Sequence, residues 1–329
     1  MSVAGAVVAL VTGLLLAATV RLSSASPAEL TATGCSTAPA SPPSEFTNQT
    51  VSVNGIQLHY VRGGHGRDVV VLLHGWPENW YEWNAVMPAI AEKYTVLAVD
   101  LPGLGDSAGT PPSYDKKTLA GYVHGLVVDA VGQRPVHVVG HDFGAAVAFA
   151  YAASFRDSTA SLTIIDFPIE GPATDDEQLR ASLWWFGFHD VPQLPEQLVD
   201  GLQRTYLSWF YNNLVQPPNQ LSPTAVAEYI RTYCKPSVLH GGFELYRTEG
   251  VDRADNSALT QDKLSLPILI MSPIRSSDQN AEEQQLISGI APMADGPITV
   301  DLVPQSGHFV PEENPGFVTE HLSAFIDAN

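Results

Sequence analysis

Cysteine and basic residues are scarce in this chain of 329 residues. Its two cysteines, Cys35 and Cys234, are too few for a disulfide framework or a cysteine-built zinc site. Export would let them pair, but Cys35 falls in a linker-like stretch, which argues against a bond. Lys and Arg number 16 against 35 Asp and Glu, a formal net charge of −19. That balance excludes nucleic acid and anionic membrane surfaces as partners and favours solubility. His124, His137, His240 and His321 show no metal-ligand spacing, so no metal is expected, and no organic cofactor either. Repeats are absent, which excludes solenoids and propellers. Oligomeric state leaves no mark on the sequence.

One long run lacks charge altogether, the eighteen residues from Val3 to Val20, with Arg21 after it. Its length lies between that of a signal peptide and a membrane span, although the basic residues that commonly precede a signal run are missing. Export or membrane anchoring is the expectation, with a cytoplasmic location as the alternative. Residues 22–46 are rich in Ser, Ala, Thr and Pro, a linker composition. Leader and linker (1–46) therefore precede a core of about 280 residues, one large domain carrying an insertion.

Within the core, Thr50–Val53 and Gln57–Val61 read as strands around the Asn54-Gly55 turn. Residues 68–73 form a continuous apolar run, suited to a strand buried on both faces. A helix is expected over Trp80–Lys93, a strand over Thr95–Val99, a helix over Lys117–Val131 and strands over Pro135–Gly140 and Leu162–Ile165. From Gly171 to about Ala254 the chain turns helical and aromatic. Strand–helix alternation then returns with strands at Pro267–Met271 and Ile298–Val303 and helices around 281–290 and 315–326. This order implies a mostly parallel sheet covered by helices on both faces. A helical lid (171–254) follows the sixth strand and divides the core into 47–170 and 255–329.

The stretch Val138-Val139-Gly140-His141-Asp142-Phe143-Gly144-Ala145-Ala146 organises the rest. A β-branched run stops at a glycine and a small-residue helix starts at once, with one nucleophile-capable side chain at the apex. The spacing is similar to the nucleophile elbow of α/β-hydrolases, which usually carries serine. Here the apex is Asp142. A carboxylate is poor at attacking esters and amides but suited to a saturated carbon bearing a leaving group, forming a covalent ester. His308, in the loop after the last strand, would activate water against that ester. Asp166, directly after its strand, is the first choice to orient His308, with Asp278 and Glu170 as alternatives. The backbone N–H groups of Trp76 and Phe143 are the candidate oxyanion donors. His141 is given no catalytic part, and Pro77, Glu78 and Asn79 none beyond capping.

Across about residues 48–328 the chain resembles the epoxide hydrolases of the α/β-hydrolase fold. The carriers are His74-Gly75-Trp76-Pro77, Gly140-His141-Asp142-Phe143-Gly144, Asp166-Phe167-Pro168, Leu194-Pro195-Glu196, Tyr233-Cys234-Lys235-Pro236 and Ser306-Gly307-His308. The resemblance implies opening of a small apolar epoxide to a vicinal diol, with a lid tyrosine giving a proton to the epoxide oxygen. Tyr233 stands in the matching motif and Tyr229 is its rival. One departure is Trp185, where histidine or tyrosine would be the second oxygen donor; an indole N–H can donate a hydrogen bond but yields no proton. Candidate pocket residues are His74, Trp184, Trp185, Tyr229 and Phe309, of which His74 is read chiefly as support for the oxyanion loop. Haloalkane dehalogenation by the same nucleophile is the first alternative, and a ligand-binding protein without turnover the second. Fluoroacetate dehalogenases carry arginines just after the nucleophile, whereas Phe143 and Ala146 offer a carboxylate nothing.

Overall fold

The computed structural model describes residue 35 and residues 38–172 and 182–329. The apolar run Val3–Val20 and the leader expected there lie outside these residues. Among the described residues no helix is long and apolar enough to cross a membrane.

Eight strands form one sheet: β1 (Thr47–Val53), β2 (Ile56–Gly63), β3 (Val69–Leu73), β4 (Thr95–Val99), β5 (Val136–His141), β6 (Thr159–Ile165), β7 (Ile268–Pro273) and β8 (Ile298–Val303). Their order is β1-β2-β4-β3-β5-β6-β7-β8. The pairs β1–β2 and β2–β4 are antiparallel and the remainder parallel. The central strand β3 is buried along its whole length. Its side chains alternate between layers, Val69, Val71 and Leu73 entering one core and Val70 and Leu72 the other. A strand apolar at every position therefore marks a sheet covered twice.

The helices are α1 (Met87–Ala91), α2 (Lys116–Val131), α3 (Phe143–Ser154), α4 (Trp184–His189), α5 (Leu194–Val199), α6 (Gln203–Asn213), α7 (Pro223–Tyr233), α8 (Pro236–Arg247), α9 (Glu249–Ala258), α10 (Gln279–Ile290), α11 (Val310–Glu313) and α12 (Pro315–Asp327). The helix expected over Trp80–Lys93 is two pieces, a 3₁₀ turn at Trp80–Trp83 and then α1. Pro88 causes the break: it has no N–H to continue a ladder from the preceding turn but suits the start of a new one.

Between β6 and β7 the described residues form six helices, α4 to α9, and the last runs on to Ala258. Ion pairs fasten them over the carboxyl ends of the strands. Lys116 of α2 meets Asp252 of α9 at 2.7 Å, both nearly buried, and Asp106 takes Lys235 at 2.6 Å and the Arg231 guanidinium of α7. A third tie corrects an expectation, because Cys35 is bonded to Cys234 at the end of α7. Linker composition suggested a solvent-borne segment. Its described part instead lies against the protein, with the Ala40 N–H donating to Glu228 Oε2 and Phe46 buried against Gly63.

Candidate active site

Register brings the site together. Leu73 of β3 pairs with Gly140 of β5, Gly140 with Ile164 of β6, and Ile165 with Met271 of β7. The residues that follow these strands therefore meet at one edge of the sheet. At the elbow Asp142 adopts φ +51, a left-handed conformation that strains any side chain. Two glycines make that turn possible. A Cβ on Gly140 would come within 2.1 Å of the Gly144 carbonyl oxygen, and one on Gly144 within 2.2 Å of the Leu73 carbonyl oxygen. The turn aims Asp142 out of the sheet, where its Oδ1 accepts the Trp76 N–H at 2.9 Å. Phe143 opens α3, so its own N–H has no partner within the helix.

His308 sits with Nε2 at 3.5 Å from Asp142 Oδ2 and Nδ1 at 2.8 Å from Asp166 Oδ2. Of the three acids considered for that place, Asp166 occupies it. Asp278 is exposed and caps α10 through the Ala281 N–H, and Glu170 lies on the cavity wall with Arg253 at 3.9 Å. Burial alone would raise the Asp166 carboxyl; the charge of Arg275 and the bond to His308 outweigh it and hold the carboxyl well below the usual range. Arg275 Nη2 donates to Asp166 Oδ1 at 2.6 Å. No feature of the sequence marks this lone loop arginine.

Over Asp142 lies a cavity of about 100 Å³ walled mainly by Trp76, Phe143, Phe167, Leu183, Trp185, Phe186, Phe210 and Tyr246. Several expected pocket residues are elsewhere. His74 is wholly buried, its Nε2 accepting the Leu101 N–H at 3.1 Å and its Nδ1 donating to the Gly75 carbonyl at 2.9 Å, so it braces the loop that carries Trp76. Trp184 is 50% exposed and packs on Trp209 from outside. Phe309 and Tyr229 are buried against Tyr211. Tyr233 is also away from the wall, its hydroxyl buried with no hydrogen-bond partner among the described residues.

The tyrosine on the wall is Tyr246 of α8, in edge contact with Phe143, Trp76 and Phe186. Burial and then the negative charge of Asp142 push its phenol well above 10, so it is protonated at neutral pH. Leu239, Phe243 and Tyr246 recur along α8 at a spacing that marks a buried face. That pattern does not separate a core tyrosine from one at a cavity.

Behind the elbow is a buried polar group. His141 Nε2–H donates to the His308 carbonyl at 2.7 Å. Its Nδ1 lies 3.3 Å from both Glu78 Oε2 and Glu82 Oε1, and Glu82 Oε2 accepts the Gly75 N–H at 2.9 Å. Burial opposes a charged His141, yet Glu82 and Glu78 carry its pKa well above 6.5. Glu78, expected only near a helix cap, is wholly buried; burial and the charge of Glu82 push it up to about 7. These donor atoms lie within 4.8 Å of one another, close enough for a cation, but a proton held between Glu78 and His141 serves the same atoms. The similar cluster Glu196, His240 and Glu244 already holds a cation, the Arg247 guanidinium.

Comparison with known proteins places the chain in a family. Residues 68–315 match the family model described as alpha/beta hydrolase fold. The chain is 36% identical to the soluble epoxide hydrolase of Corynebacterium sp. (strain C12) over 295 residues, which cover 86% of this chain and 98% of that one. It is 28% identical to a fluoroacetate dehalogenase of Burkholderia sp over 214 residues, 62% of this chain and 70% of that one. Among solved structures, the ligand-free epoxide hydrolase CorEH superposes with a TM-score of 0.77 at 33% identity, covering 86% of this chain and 99% of that one.

Proposed function

Because the chain belongs to the epoxide hydrolases of the α/β-hydrolase fold, we propose that it opens a small apolar epoxide to a vicinal diol through an ester on Asp142. One observation carries the reading: the Asp142 carboxylate faces an aromatic cavity with the Trp76 N–H at one oxygen, the His308–Asp166 pair at the other and a phenol on the wall. A carboxylate oxygen attacks a ring carbon, the C–O bond breaks, and its electron pair goes to the ring oxygen. Tyr246 is placed to give that oxygen a proton, a role the resemblance assigned to Tyr233. A positioned acid of this kind contributes on the order of 10²–10⁴ in rate.

His308 then takes a proton from water as the water oxygen attacks the Asp142 carbonyl carbon. The charge that develops on the carbonyl oxygen falls to the Trp76 and Phe143 N–H groups, each such donor commonly contributing roughly 10²–10³. Collapse breaks the bond to the alkoxy oxygen, which leaves with the proton from His308 as the second diol hydroxyl, and the proton left on the Asp142 carboxyl goes by way of solvent to restore the Tyr246 phenol. The protein keeps the oxygen from water.

The same nucleophile would serve a haloalkane. Against a carboxylate-bearing halide such as fluoroacetate stands the charge of the wall, where Asp142, Asp166 and Glu170 face one arginine already bound to Asp166. Parallel assays of diol from epoxides and halide from alkyl halides separate the two; halide release without diol formation would overturn the epoxide reading. Intact-mass spectrometry of His308→Gln with a reactive epoxide is expected to show one stable adduct, and its absence would count against the ester. Export is our proposal for location, supported by the Cys35–Cys234 bond, since disulfides persist in oxidising compartments.

A further inference from the structure

The loop between β7 and α10, where an orienting acid was sought at Asp278, brings an arginine to the site instead. We propose that Arg275 is a positioning residue that aims Asp166 at His308 and moderates the carboxylate's pull on the imidazole proton. The proposal rests on the Asp142-ester reading and concerns its second step.

Asp166 leaves β6 at φ +48, a conformation disfavoured for a side chain that is not glycine, so surrounding contacts must hold its pose. Three do so: its N–H donates to the Met271 carbonyl at 2.9 Å, Oδ1 accepts from Arg275 and Oδ2 accepts from His308. Arg275 is itself fixed rather than draped. Its N–H and that of Ser276 bond the two oxygens of buried Glu282 on α10, at 2.9 and 3.1 Å, and Nη1 donates to Ser272 Oγ at 3.0 Å. The Arg275 and Asp166 side chains are only 10% and 4% exposed, so screening is weak and the pair interacts strongly.

A carboxylate neutralised at one oxygen attracts an imidazolium less through the other. The other groups facing His308 are Asp142 at Nε2, the His141 ring at 4.9 Å, and Glu313, whose oxygens take the Gly307 and Phe309 N–H groups. Glu170 lines the same wall, and Arg275 is its only lysine or arginine among the described residues. Without the guanidinium, His308 would face negative charge with no fixed cation on the wall to offset it. Its proton would be held more tightly, and the water step would fail at a higher pH.

The test separates the two steps by rapid quench across about pH 5–9 in wild type, Arg275→Gln, Arg275→Met and Arg275→Lys. Expected in the Gln and Met variants is alkylation within about tenfold of wild type, with the acid limb of ester hydrolysis displaced upward by about one pH unit. Lys, which restores the charge, is expected to return the limb to within a few tenths. Arg275→Gln keeps a donor to Asp166 and serves if Arg275→Met does not fold. Slower hydrolysis on an unmoved limb would mean a structural prop and overturn the proposal, as would a parallel loss of alkylation. No ester at all in wild type would remove the Asp142 reading, and this proposal with it.

Discussion

Replacing Tyr246 by phenylalanine removes one oxygen from the cavity wall and nothing else from the packing. The ring is buried among Phe143, Trp76 and Phe186, contacts a phenylalanine keeps. What goes is the only phenol on the wall among the described residues, and Trp185 can donate a hydrogen bond there but not a proton. Ring opening would then leave an alkoxide without its acid, slowing alkylation by about 10²–10⁴, or roughly 3–5 kcal/mol at 1.36 kcal/mol per tenfold. Tyr233→Phe is the paired control. Tyr233 is not among the residues that line the cavity, so removing its hydroxyl is expected to leave alkylation unchanged. The assay is single-turnover rapid quench with enzyme in excess, in a His308→Gln background so that ester accumulates. Alkylation at the parent rate in the Tyr246→Phe variant, or an equal loss in Tyr233→Phe, would refute the assignment.

Two further outcomes concern stability. The folded protein favours the protonated form of Glu78, pushed up from 4.5 to about 7 by burial and by Glu82. The stability this contributes is complete below the unfolded value and is lost as pH rises through about 7. Glu78→Gln, neutral throughout, is therefore expected to lose less stability than wild type as pH rises from about 5 to 8.5 in urea titrations; parallel curves would contradict it. Cys234→Ser frees the segment before β1 from α7 and is expected to lower stability by about 2–4 kcal/mol without reductant. An unchanged urea midpoint, or two free thiols in the native wild-type protein, would contradict the bond.

What the sequence disclosed follows how local each constraint is. Gly140, Asp142 and Gly144 report a steric demand within five residues, so the elbow and the carboxylate at its apex are legible without the fold. The covered sheet is legible because Val69 to Leu73 are apolar at every position. Asp166 could be singled out because it directly follows a strand end, while its rival Asp278 has a cap's sequence context as well as a loop acid's. The tyrosine proposed as acid was not legible. Tyr229, Tyr233 and Tyr246 all lie on buried helical faces, and only the packing of α8 over the elbow selects the last. Arg275 and Glu78 act through partners far away in sequence, Asp166 for one and His141 for the other, and the Cys35 bond spans 199 residues.

The most direct measurement is one turnover with enzyme in excess in water enriched in oxygen-18. If Asp142 delivers the first bond, the diol of that cycle carries an unlabelled oxygen from the protein, and the label appears in the peptide containing Asp142. Label in the first-turnover diol, with that peptide unlabelled, would contradict the account.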